Sequence, residues 1–80
     1  MKSPNENNPK RDVKMATKIQ VIMRRQNISQ TQLAKKAGVT LVTVNQVIWG
    51  IKRIPWLRTF IAQELGFENW NELKAHKEVV

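Results

Sequence analysis

The sequence predicts an all-α domain of five helices, and three observations carry that prediction. Apolar residues recur three and four positions apart in successive segments, the spacing that lines one face of a helix. Most of these segments open on a side chain able to accept from free backbone N–H groups, and three close on Gly38, Gly50 or Gly66, the chain's only glycines. No segment alternates apolar and polar residues as a half-buried strand does.

The first helix follows Asp12, a capping residue. It turns Met15, Ile19, Ile22 and Met23 inward, leaves Lys14, Lys18, Arg24 and Arg25 wet, and ends near Gln26–Asn27. Ser29-Gln-Thr-Gln32 fits the capping box, in which the serine oxygen accepts from the glutamine's N–H and the glutamine side chain reaches back. The second helix carries Leu33, Ala34 and Ala37 inward and stops at Gly38, a position that needs positive φ. Thr40 caps the third, whose inner face is Val44, Val47 and Ile48, and Gly50 closes it. A basic loop, Ile51–Ile54, leads to Pro55, which either closes the loop or sits in the first turn of the fourth helix. Leu57, Ile61 and Leu65 line that helix, Gly66 ends it, and Asn69 caps a fifth anchored by Trp70 and Leu73. Residues 1–11, with Pro4, Pro9 and three asparagines, read as a flexible basic arm ending in Lys10–Arg11, ahead of a domain at 12–78.

Eighty residues bury only about 60% of their unfolded surface, and the 41% that are hydrophobic suffice for one small core. With no cysteine, disulfides, zinc ribbons and thiol nucleophiles are excluded together. His76 is the one histidine, and no nucleophile–base pair, metal set or phosphate-cradling glycine loop is present, so neither enzymatic chemistry nor a metal or cofactor is expected. Charge is the strongest signal. Residues 1–63 hold twelve Lys or Arg against Glu6 and Asp12, while residues 64–80 set Glu64, Glu68, Glu72 and Glu78 against Lys74 and Lys77. Such a field concentrates polyanions. No apolar run reaches the roughly 18 residues that span a bilayer, and MKSPNENNPKR lacks the apolar stretch of a secretory signal, so the cytoplasm is expected.

Residues 30–49 carry the functional reading. A helix that protrudes into a DNA groove must cross its predecessor steeply, which demands a small residue at the crossing, a glycine in the turn and apolar anchors behind. Counting Gln30 as the first position, Ala34 is fifth, Gly38 ninth, Val44 fifteenth and Val47 eighteenth, with Leu33, Ala37 and Val39 in the remaining apolar places. Through Ser29-Gln-Thr-Gln-Leu-Ala-Lys-Lys-Ala-Gly38, Val39-Thr-Leu-Val-Thr-Val-Asn-Gln-Val47, Gly50, Pro55 and Ile61-Ala-Gln-Glu-Leu-Gly66, the chain resembles the lambda-repressor-like, Cro-type (XRE) helix-turn-helix family over residues 13–73.

The resemblance implies a five-helix lambda-repressor-like domain with its helix-turn-helix at helices 2 and 3. It also implies a transcriptional regulator of double-stranded DNA, of phage or bacterial repressor type. Leu41, Val42, Thr43 and Gln46 become the base-reading set. Gln46 can pair with adenine, and Leu41, Val42 and the Thr43 methyl can pack on thymine methyls, although Leu41 and Val42 also suit helix-start packing. Gln30 stands where the family touches the DNA backbone and braces a base-reading side chain. Thr40, Asn45, Lys52, Arg53, Lys35 and Arg58 complete the backbone set, with Lys52 and Arg53 in the loop the family uses on phosphate. The chain departs from the family where many members pair an arginine in helix 1 with a glutamate in helix 3, because Met23 and Ile48 stand there. An apolar contact can replace a buried ion pair without loss.

Trp56 and Phe60, four apart, fit either a second core face or an exposed patch, and Trp49 either packs under the loop or touches DNA sugar. Trp56, Phe60 and Trp70 supply the candidate surface for a weak homodimer that pairs on a palindromic operator. Two other functions share these features. An antitoxin uses the same domain, and a protein-docking module would act through Trp56 and Phe60 with residual DNA binding. A membrane-surface role for basic helix 1 would need an exposed apolar face.

The arm contributes Lys2, Lys10 and Arg11 along with Glu6, but no core residue. Its deletion is expected to leave the melting temperature nearly unchanged and to weaken DNA binding at low salt. A large fall in melting temperature would mean that the arm packs.

Overall fold

Among residues 11–77, which a computed structural model describes, five α-helices form a compact all-α domain with no strand. They are α1 (Val13–Gln26), α2 (Gln30–Ala37), α3 (Leu41–Ile48), α4 (Pro55–Glu64) and α5 (Trp70–Ala75). Residues 1–10 of the arm and 78–80 at the other end lie outside the described residues. Among the described residues no helix is long and apolar enough to cross a membrane.

The helix starts follow side-chain chemistry. Asp12 Oδ1 accepts from the Met15 N–H at 3.0 Å, Thr40 Oγ1 from Thr43 at 3.2 Å and Asn69 Oδ1 from Glu72 at 2.8 Å. Both arms of the capping box form, Gln32 N–H to Ser29 Oγ at 3.1 Å and Ser29 N–H to Gln32 Oε1 at 2.7 Å. α4 instead begins with Pro55, whose missing N–H removes a donor that no helix would satisfy there.

The first four helix ends share one device. Asn27, Gly38, Gly50 and Gly66 are the positive-φ residues of the described chain. The next N–H in each case reaches back to a carbonyl five residues earlier: Ile28 to Met23, Val39 to Ala34, Ile51 to Gln46 and Phe67 to Ala62. These are Schellman closures, and an apolar residue follows every one. Three of the four, Ile28, Val39 and Phe67, pack against the core. At Gly38 (φ 75°) an added Cβ would meet nothing within 4 Å, so the requirement for glycine there is purely conformational.

α3 packs against α1, α2 and α4, α5 closes on α4, and α2 also touches α4. Ile19, Leu33, Val44, Val47, Ile48, Leu57, Ile61, Leu65 and Leu73 are fully buried. Met23 and Ile48 both lie in this core as apolar packing. Polar ties lock α1 over the C-terminal half, with Gln26 Nε2 donating to Leu65 O at 2.8 Å and Lys18 Nζ to Lys74 O at 2.6 Å.

Ile48 is the last residue of α3 and is completely enclosed. Ile48→Ala should cost about 2–5 kcal/mol, lowering the melting temperature by roughly 10 °C or more in a domain of this size. A shift below about 4 °C, read by circular dichroism, would place Ile48 outside the cooperative core.

Candidate nucleic-acid interface

α3 has two unlike faces. Val44, Val47 and Ile48 are fully buried, while Leu41 and Val42 at its start are 47% and 64% exposed. The Gln46 side chain is half-buried and makes no hydrogen bond among the described residues, which leaves its amide free to donate and accept. Thr40 and Thr43 bring their hydroxyl oxygens within 2.9 Å of each other, and the Thr40 oxygen also caps the helix, so these two hydroxyls are partly committed to the fold.

Gln30, at the first position of α2, accepts a long 3.4 Å hydrogen bond from Asn45 Nδ2. Its contact is therefore to the third polar residue of the α3 region and not to the helix start. The basic loop is fixed to the same helix. The Gln46 carbonyl accepts from both Ile51 N–H (2.9 Å) and Lys52 N–H (3.2 Å), which sets the root of the Lys52 side chain beside the end of α3. Lys35, Lys52 and Arg53 are exposed and make no ion pair among the described residues. Lys36 differs from its neighbour, since it pairs with Glu64 at 2.8 Å.

Arg58 belongs to a second group. Its guanidinium lies 5.2 Å from the centre of the Trp70 ring, and its Nε is closed off from solvent without a hydrogen-bond partner. Burial first, and the charge of Arg53 second, hold its pKa below the ordinary arginine value, while Asp12 acts in the opposite sense. Arg53 and Arg58 line one cleft with Asn69, Trp70 and Asn71. Within the predicted backbone set, Gln30 and Asn45 are joined by a hydrogen bond, and Arg53 and Arg58 share a cleft.

The tryptophans separate as well. Trp49 packs against the core and carries Arg11 over its ring at 4.7 Å, while its carbonyl accepts from Asp12 N–H at 2.7 Å. Arg11, expected at the end of the arm, is therefore held against the domain. Phe60 and Trp70 are partly buried on the core, and Trp56 remains 54% exposed. The two arginine–tryptophan stacks were not legible in the sequence, because neither partner in them is a periodic neighbour of the other.

Comparison with protein-family models, with curated proteins and with solved structures finds no match to this chain.

Proposed function

We propose that the chain is a sequence-specific double-stranded DNA-binding regulator of the lambda-repressor-like, helix-turn-helix type, with α2 and α3 as the motif and α3 as its recognition helix. The observation that carries this reading is the division of α3. A helix held on one side by three enclosed aliphatic residues presents Leu41, Val42 and an uncommitted Gln46 on the other. The major groove is wide enough to take such a helix, and amide and methyl groups are the chemistry that reads adenine and thymine there.

The uncompensated cations supply the second half of the reading. Lys52 and Arg53 follow the recognition helix in a loop whose backbone is tied to Gln46, so a duplex meeting α3 would bring phosphates towards them. Asn45, already engaged by Gln30, is better suited to positioning than to base reading. A single motif reads few base pairs, so two copies pairing on a palindrome complete the proposal, with exposed Trp56 as the largest apolar group available for that contact.

Selection of bound sites from random duplex DNA tests the reading directly and returns sequence, palindromy and half-site spacing together. On the preferred site, Gln46→Ala should cost about 1–3 kcal/mol and relax the preference at one base position. An unaltered site preference in that variant would remove α3 from base reading.

The loop cations should act without regard to sequence. Replacing Lys52 and Arg53 by Ala should weaken every duplex by a similar factor and reduce the slope of log K against log salt by about 0.9 for each phosphate no longer neutralised. An unchanged slope would make both side chains ordinary surface charge.

A further inference from the structure

We propose that the cleft between α4 and α5 is a binding site for a phosphate group, gripped by Arg53 and Arg58. The cleft has a volume of about 220 Å³ and is lined by those two arginines with Thr59, Asn69, Trp70 and Asn71. None of these side chains is a carboxylate. Every one of the polar side chains can donate. The Asn69 oxygen is occupied by its cap to Glu72 N–H, which leaves its Nδ2 for a ligand.

Arg58 is the anchor. Its guanidinium is steadied by Trp70, yet among the described residues no hydrogen bond or ion pair engages it. A guanidinium drawn partly out of water with its Nε–H unmatched carries a cost, and an acceptor-only anion is a partner that can repair it. Arg53 lies near enough to oppose the Arg58 charge and Asp12 near enough to favour it, with Arg53 the larger influence. The carboxylate that could neutralise Arg58 is therefore outweighed, and Asp12 Oδ1 is already accepting from Met15. A phosphate group offers enough oxygens to face both guanidiniums at once, which a single carboxylate does less well. The source can be a nucleic-acid backbone or a free phosphate, and the proposal stands without the DNA-binding reading.

The test is a titration of the full-length, ¹⁵N-labelled chain with inorganic phosphate, followed at the Arg58 Nε–H and the Trp70 indole N–H. Shielding of Arg58 Nε from water favours an observable signal. Saturable shifts at these two groups are expected, with no comparable response to acetate or chloride at equal ionic strength. Arg58→Lys keeps the charge but loses the fork, and should weaken binding about tenfold, whereas Arg24→Ala, an equal loss of charge relative to Arg58→Ala at an exposed site on α1, should change it less than about twofold.

A short mixed-sequence duplex forms the second arm. Movement of the Arg58 signal by duplex, reversed by phosphate, identifies the ligand as a DNA backbone phosphate. Phosphate binding with a duplex that shifts only the α3 amides identifies a free phosphate. Phosphate binding with no response to duplex would sink the DNA reading and leave this site standing. If neither probe moves Arg58, or if acetate does so equally, the proposal is overturned whatever α3 does. The wild-type titration decides this even should Arg58→Lys fold poorly.

Discussion

An eight-residue helix is too short to persist alone in water, where isolated helices below about 12–15 residues are marginal. α3 is further weakened by Val42, Thr43, Val44, Val47 and Ile48, whose branched side chains lower helix propensity. It exists because Val44, Val47 and Ile48 are enclosed by α1, α2 and α4. Everything else in the domain can be read as what builds those walls. The same branched residues that disfavour an isolated helix have few rotamers to lose on burial, so the packed helix is rigid once formed.

The walls are placed by short connections with little slack. Gly38, Val39 and Thr40 alone join α2 to α3, and none of the three is idle. In order they supply a left-handed turn, an apolar contact with the core and a helix cap. Repetition of the left-handed closure at Asn27, Gly50 and Gly66 means that the first four helices spend their terminal carbonyls locally. The chain can then turn sharply without burying unmatched backbone groups. Direction of the helices, and hence the face that α3 leaves open, follows from these turns as much as from the core.

Helix starts, inner faces and glycine stops were legible in the sequence because each depends on residues within one or two turns of one another. The capping box at Ser29 and the enclosed set Leu57, Ile61 and Leu65 are examples. Asn27 was readable only as the neighbourhood of an end, since asparagine takes the left-handed conformation less insistently than glycine. The tryptophans and arginines were not resolvable in this way. Whether Trp56 or Phe60 faces the core turns on a few tens of degrees around α4, and the structure turns Phe60 inward. Arg11 on Trp49 and Arg58 on Trp70 join residues far apart in the chain, which no local period encodes. The exposed start of α3 was nameable as a group, but the engagement of Asn45 by Gln30 required the crossing of two helices to be known.

Charge gives the arrangement its remaining logic. Of the described carboxylates, Glu64 takes Lys36, Glu72 accepts from the Glu68 N–H, and Asp12 caps α1. None is spent on Lys35, Lys52 or Arg53, although pairing any of them would have been a small surface adjustment. The like charges of Arg53 and Arg58 raise the energy of the folded state, modestly in salt and more where solvent is partly excluded, as around Arg58. Among the described residues Arg58 keeps such a local conflict, a shielded Nε–H without an acceptor, and conflicts that survive in a consistent fold are expected at functional sites. Around Arg58 the unmatched groups are of a single kind, donors and positive charge, and this local imbalance is what the proposed phosphate site would relieve.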